Sequence, residues 1–135
     1  MATTNSDYLE DKVVNHVLGT AAFTMPAAVS LALFTVNPNF ETGAGGTEAT
    51  GGGYARKAVA FTTSSGGAGA ATNTAEKKWT VGTDLAAGTY TGWGVHDAAA
   101  GGNLLFGDTF GAGKAVSAAG ETITCAAGDL AYSTT

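Results

Sequence analysis

After its first twenty residues, the chain consists of short alternating segments separated by glycine-rich stretches. There are 21 glycines among 135 residues, about twice the usual share. Alternation of apolar and polar residues is the period of a β-strand, and glycine supplies the backbone conformations that tight turns need. The pattern therefore predicts a mainly β fold built from short strands.

One segment near the start has a different period. From residue 7 to 18 the apolar side chains recur at helical spacing and share one stripe, formed by Leu9, Val13, His16 and Val17. We expect Asp7 to cap this helix, with Glu10 at the capping-box spacing and Gly19 as its stop. His16, at the edge of the stripe, is predicted to be partly buried and hydrogen-bonded.

The alternating segments define the remaining elements. Strands are predicted at 28–36, 54–62, 77–81, 89–97, 103–110, 115–117, 122–126 and 130–132. The two strands that flank the turn at 98–102 are predicted to form a β-hairpin. Because strand patterns resume directly after the glycine-rich loops 43–53 and 64–71, neither is a linker. Residues 1–135 are therefore predicted to form a single jelly-roll-like β-sandwich with a short N-terminal helix.

The charge and the hydropathy pattern exclude several classes of partner. The net charge is −5 with only six Lys and Arg, so the chain cannot neutralise many phosphates, and we expect no nucleic-acid partner. The first ten residues lack the basic region of a signal peptide. No apolar run approaches the roughly 20 residues of a membrane span, so no membrane partner is expected.

Groups that could perform catalysis are sparse. His96 and Asp97 are neighbours, but adjacent strand residues point to opposite faces, so Asp97 would not orient His96. The single cysteine, Cys125, lies in an apolar run and is predicted to be a small core residue. Because no nucleophile, base and oxyanion site converge, we expect no enzymatic activity and no catalytic residue.

Motifs for phosphates and metals are also missing. The segment ending in Gly-Lys near residue 114 resembles a phosphate loop, but Ala115 replaces its Ser or Thr and Asp108 its first glycine. Glu41, Glu48 and Asp97 are separate loop acids, compatible only with a casual surface calcium. No metal site and no cofactor are therefore predicted.

The aromatic residues of the strands are predicted to lie in the core rather than to form a platform for sugars. These residues are Trp79, Trp93, Phe61, Phe106 and Phe110. A carbohydrate-binding module for host attachment would need exposed aromatic rings, so it ranks behind a structural role.

Several stretches together resemble a family of small virion proteins of tailed bacteriophages, encoded among head and tail genes. The similar residues are 6–10, 13–18, 31–35, 37–38, 51–59, 94–98, 101–106 and 126–130. Members of this family are described variously as tail-fibre-like, tail or capsid-associated proteins. The resemblance implies a virion structural protein without enzymatic residues.

Two positions in the virion are compatible with this resemblance. We expect a capsid decoration, or cement, protein that lies on the capsid exterior after assembly in the host cytoplasm. Its partners would be the major capsid protein and copies of itself, with many modest contacts summing to a strong clamp. The alternative is a component of the tail tip or tail fibre that takes part in host attachment.

The assembly surface is predicted to include the N-terminal segment and the loop 40–54. The residues singled out are Tyr8, Phe40, Gly45, Gly46 and Tyr54. A helix of about three turns is marginal alone, so it must dock on its own sandwich or on a neighbour. Ordering the glycine-rich loop costs backbone entropy, so we expect it to be mobile in the isolated protein and ordered in the particle.

Overall fold

The computed structural model describes residues 3–134 and contains one helix and ten strands among them. In chain order the elements are β1 (Thr4–Asn5), α1 (Asp7–Val17), β2 (Val29–Val36), β3 (Thr47–Glu48), β4 (Lys57–Val59), β5 (Ala70–Thr72), β6 (Lys77–Thr80), β7 (Gly88–His96), β8 (Leu104–Val116), β9 (Thr122–Cys125) and β10 (Ala131–Ser133).

A six-stranded antiparallel sheet organises the fold. Its strands lie in the order β1-β8-β7-β2, and both β3 and β4 pair with the other edge of β2. There are two smaller antiparallel sheets, β5–β10 and β6–β9. The β6–β9 sheet supplies Trp79 and Ile123 to the same core as Leu31, and β10 packs Tyr132 against that core. The predicted fold class, mainly β with packed antiparallel sheets and a short N-terminal helix, is confirmed.

The predicted hairpin is confirmed, but its second strand is longer than expected. β8 spans 13 residues and ends at Val116, so it takes in the first two residues of the segment predicted as a separate strand at 115–117. It stays paired with β7 through two register shifts. The short strands β1, β3 and β5 were not predicted. β1 and β3 have only two residues each, and β5 begins inside the segment 64–71 that was predicted to be a loop.

Both faces of β2 are buried. On the core face Leu31 and Leu33 have no exposed surface, and on the opposite face, here called the outer face, Phe34 is only 5% exposed. The loop after β2 covers the outer face, since the Phe40 ring packs edge-on to Phe34 at 6.3 Å between ring centroids. Phe40 also lies over Gly107, where a Cβ atom would come within 2.7 Å of its ring.

The helix α1 is capped by Ser6 and not by the predicted Asp7. The Ser6 hydroxyl accepts a hydrogen bond from the Leu9 amide at 3.2 Å and donates one to the Leu104 carbonyl at 2.6 Å. The Ser6 amide donates to the Leu105 carbonyl at 2.9 Å. Ser6 therefore caps the helix and fastens it to β8. No local sequence signal could distinguish capping by Ser6 from capping by Asp7.

Replacing Ser6 by alanine is expected to lower the free energy of unfolding by about 2 kcal/mol, because the change removes a cap and leaves a buried carbonyl without its donor. Urea denaturation measures the loss. Asp7→Ala is the matched control, and it should cost no more than about 0.5 kcal/mol of helix-dipole stabilisation. Equal losses in the two variants would contradict the assignment of Ser6 as the cap.

Candidate assembly surface

The helix α1 leaves most of its apolar side chains exposed. Leu9 is its buried residue, whereas Val13, Val14, Val17 and Leu18 are 40, 53, 74 and 70% exposed. Residues four apart are neighbours on a helix, so these four side chains form two adjacent rows. The helix was predicted to dock either on its own sandwich or on a neighbour. The chain's own sandwich buries Leu9, and the rest of the apolar stripe faces outward.

Two members of this exposed face were not anticipated. The predicted stripe contained Val13 and Val17 but not Val14 and Leu18, although their four-residue spacing was visible in the sequence. His16, which was predicted to be partly buried, is exposed. Its Nδ1 atom accepts a hydrogen bond from the Phe23 amide at 3.1 Å, so His16 fixes the chain that follows the helix.

Two clefts flank the helix and share Leu9 and Tyr132. The first has a volume of about 220 Å³ and is lined by Asn5, Leu9, Glu10, Val13, Val14, Tyr132 and Thr134. The second, about 240 Å³, is lined by Leu9, Val29, Phe61, Ala71, Leu105, Phe106 and Tyr132. Aliphatic and aromatic side chains dominate both linings, so the clefts extend the apolar surface of the helix towards β10.

The three aromatic residues predicted for the interface contact their own domain. Tyr8 is half-buried with the Lys12 ammonium 5.4 Å from its ring centroid. Phe40 covers the outer face beside Phe34. Tyr54 stacks on Trp79 with ring centroids 6.3 Å apart. The structure therefore does not bring these rings together into one exposed patch.

The glycine-rich loop is held by its own domain, which differs from the expectation that a partner would order it. The Asn39 side chain accepts hydrogen bonds from the Glu41 and Thr42 amides. Gly46 has a positive φ of 76° and lies against the backbone of Pro38. Gly45, also with a positive φ, faces open space. Backbone contacts of this kind are not visible in composition.

A polar network around Arg56 joins this loop to the β7–β8 turn. The Arg56 guanidinium donates to both Glu48 carboxylate oxygens, at 2.8 and 2.7 Å, and to the carbonyls of Ala98 and Gly101, at 3.0 and 2.7 Å. The Tyr54 hydroxyl donates to Glu48 at 3.1 Å and accepts from the Leu33 amide. Burial alone would raise the pKa of Glu48, but Arg56 and Tyr54 hold it below its usual value.

The groups that could support catalysis are turned inward or tied to neighbours. Burial, with the nearby Arg56 cation, lowers the pKa of His96 to about 4, so His96 is neutral at pH 7. The Asp97 carboxylate accepts two hydrogen bonds from Asn103 and does not orient His96. Burial raises the pKa of the Cys125 thiol to about 11, so its thiolate is scarce at pH 7.

The neutral state of His96 makes stability dependent on pH. Its pKa is about 4 in the fold, below the ordinary histidine value of 6.5 that it has in the unfolded chain, so the unfolded chain binds the proton first as the pH falls. Stability should therefore decrease between pH 6.5 and pH 4. We expect His96→Gln, which cannot ionise, to show a shallower decrease in urea midpoints over this range. Parallel curves for the two proteins would contradict this.

Neither a metal cluster nor a membrane-spanning helix is found in the described part of the chain. Among residues 3–134, no three His, Cys, Asp or Glu side chains lie where they could hold a metal ion together. The helix of this region is too short and too polar to cross a bilayer.

Comparison with known proteins finds one family whose model matches almost the whole chain. The model of the family described as "Podophage GP4 fiber I protein gp80" matches residues 4–133. These limits coincide with the first residue of β1 and the last residue of β10. No curated protein matches the chain.

Proposed function

Because the chain belongs to the family of the podophage GP4 fiber I protein gp80, we propose that it is a fibre component on the tail of a phage. This family membership carries the proposal. It makes the chain a tailed-phage virion structural protein, and the word fiber in the family description favours the tail-fibre alternative over capsid decoration. Its partners in this role are copies of itself and an adjoining virion protein.

The surface of the molecule supports a role in assembly. An aliphatic helix face that its own domain leaves uncovered is typical of surfaces that bind other proteins. Four of the six basic side chains are engaged locally: Arg56 with Glu48, Lys57 with Asp84, Lys12 with Tyr8 and Lys114 with Phe110. Because most cations already have partners within the chain, this surface favours protein partners that recognise its shape and its apolar side chains.

The proposal includes the absence of enzymatic activity. It is supported by the burial of His96 and Cys125, which are only 7% and 3% exposed, and by the engagement of Asp97 with Asn103. A hydrolytic activity that disappears in a folded His96→Ala variant would overturn this part of the proposal.

Capsid decoration is the second candidate. The fold favours it, because residues 3–134 form antiparallel sheets around one core rather than the long repeats of an elongated fibre shaft. In this role the partner would be the major capsid protein, and the chain would lie on the capsid exterior.

Gold-labelled antibody against the chain, applied to purified virions, separates the two candidates when it is combined with copy number from quantitative mass spectrometry. We expect label at the tail and a small number of copies per particle. Label over the whole capsid, with hundreds of copies, would replace the fibre proposal by decoration. Absence of the chain from purified virions would overturn both.

A further inference from the structure

We infer that the cleft beside Arg56 and Glu48 is a binding site for a pyranose sugar, which it holds through a vicinal diol, that is, hydroxyl groups on two neighbouring ring carbons. The inference goes beyond the proposed function, because it concerns a small ligand of the single chain and is the same for a fibre and for a capsid protein. Three features of the cleft carry it: two unused hydrogen-bonding positions, their fixed geometry and the lining around them.

The cleft lies between the segment 48–56 and the β7–β8 turn. It has a volume of about 290 Å³ and is lined by Glu48, Tyr54, Ala55, Arg56, Ala99, Ala100 and Gly101. Small-molecule sites begin at roughly 300 Å³, so the cleft has room for one sugar ring. Its charged donor, the Arg56 side chain, is only 7% exposed and is therefore built into the wall of the cleft.

Arg56 and Glu48 each keep a hydrogen-bonding position that the chain does not use. A guanidinium has five N–H groups. The Nε hydrogen and one Nη2 hydrogen of Arg56 bond Glu48, and its Nη1 group bonds the carbonyls of Ala98 and Gly101. Among residues 3–134, the second Nη2 hydrogen thus has no acceptor. Within the same residues the Oε2 atom of Glu48 accepts from Arg56 alone, whereas its Oε1 atom accepts from Arg56 and Tyr54.

The unused donor and the unused acceptor lie side by side. Nη2 of Arg56 and Oε2 of Glu48 are 2.7 Å apart, and the first can only donate while the second, as a carboxylate, can only accept. The two oxygens of a gauche vicinal diol have a similar separation, so one oxygen can accept from Nη2 while the other donates to Oε2. Hydrogen bonds to charged groups are roughly twice as strong as those between neutral groups. Because the two charges cancel, the pair favours a neutral ligand.

The geometry of the pair is fixed before any ligand arrives. Two backbone carbonyls hold the far side of the Arg56 guanidinium. The Tyr54 hydroxyl donates to Glu48 at 3.1 Å and accepts from the Leu33 amide of β2 at 3.0 Å. Binding therefore does not have to order these side chains, and preorganisation of this kind lowers the entropic cost of association.

The lining fits the carbon skeleton of a sugar better than a carboxamide, the other neutral group with a donor and an acceptor side by side. The half-buried Tyr54 ring is supported by Trp79, on which it stacks at 6.3 Å between ring centroids. The methyl groups of Ala55, Ala99 and Ala100 line the remaining walls. Aromatic and methyl surfaces pack against the C–H groups of a sugar ring, whereas the carboxamide of an Asn or Gln side chain would leave most of the cleft unfilled.

An NMR titration of the isotope-labelled full chain tests the ligand class. The probes are the methyl glycosides of mannose, glucose and galactose, and vicinal cyclohexanediol. Cyclohexanol and propionamide serve as comparisons. We expect saturable shifts of the Arg56 Nε–H and Gly101 amide signals, with a Kd in the millimolar range for at least one glycoside and for the diol. Cyclohexanol should bind at least about 10-fold more weakly than the diol, because a lone hydroxyl loses one of the two charge-assisted hydrogen bonds.

The variant Ala100→Phe tests the location. Ala100 is exposed and lines the cleft, so a phenyl ring there should fill the cleft and raise the Kd of the best probe at least about 10-fold. Thermal melting of the variant should match that of the parent, because the Arg56 and Glu48 pair is untouched. The matched control is Ala127→Phe, which alters an exposed alanine of another turn and should bind the probe as the parent does.

Several results would overturn the inference. They are the lack of a saturable shift with every glycoside and with the diol, equal binding of cyclohexanol and the diol, and binding of propionamide where the diol fails, which would assign the cleft to a protein side chain. Binding that survives Ala100→Phe unchanged would overturn the location. The titration uses the isolated chain, so its outcome is independent of the labelling of virions, and the inference can fail while the fibre proposal stands.

Discussion

Replacing Arg56 by alanine is expected to lower the free energy of unfolding by about 3 kcal/mol, since removing the buried partner of a partly buried ion pair leaves the other charge uncompensated. The Arg56 side chain is 7% exposed and its partner Glu48 is 29% exposed. The variant also leaves the carbonyls of Ala98 and Gly101 without their donor. Arg56→Lys should recover only part of the loss, because an ammonium cannot reproduce the forked geometry. Equilibrium urea unfolding measures both.

The adjacent residue supplies the matched control. Lys57 pairs with Asp84 at 2.6 Å, but these side chains are 32% and 26% exposed. Lys57→Ala should therefore cost no more than about 1 kcal/mol. If the two alanine variants lose equal stability, the Arg56 network does not fasten the loop to the hairpin turn as described.

The second large effect is expected at Gly107, where an added methyl group has no room. A Cβ atom there would lie 2.5 Å from the Trp93 carbonyl oxygen and 2.7 Å from the Phe40 ring. The backbone cannot yield as a flexible side chain can, so Gly107→Ala should destabilise the fold by about 3 kcal/mol, at the upper end of overpacking costs. The shift in the urea midpoint reports the loss.

Gly88→Ala is the control for a glycine in the same β-hairpin. Its added Cβ would meet only the Tyr90 ring, at 4.0 Å, and the change should stay within about 0.5 kcal/mol. Combining Gly107→Ala with Phe40→Ala should not restore stability, because the contact with the Trp93 carbonyl persists. Full recovery in the double variant would show that Phe40 alone is responsible.

Features set by local periodicity were predictable from the sequence. The helix begins at the expected residue 7 and ends within one residue of the prediction. The strand containing Leu31 and Leu33 and the hairpin around 98–102 were also predicted. The burial of Trp79, Trp93 and Phe106 follows from their places on strands, because large apolar rings are more often core than surface.

Features set by tertiary contacts were not predictable. Ser6 and Asp7 are both good capping residues, and only the carbonyl of Leu104 decides between them. An apolar helical stripe normally indicates a buried face, but the chain itself covers only its Leu9 end. The glycine-rich loop was expected to be free, because composition does not show that Asn39 and Pro38 hold it. The predicted interface residues Tyr8, Phe40, Gly45, Gly46 and Tyr54 remain a prediction.

The pairing of β1 with β8 sets the order in which the molecule can mature on the ribosome. Thr4 pairs with Gly107, and Ser6 is fastened to Leu104 and Leu105. At ordinary synthesis rates, the helix therefore waits on the order of ten seconds for the strand that anchors it. An unanchored helix of 11 residues is marginal in water. The N-terminal helix, although synthesised first, is thus fixed in place only after β8 has left the ribosome.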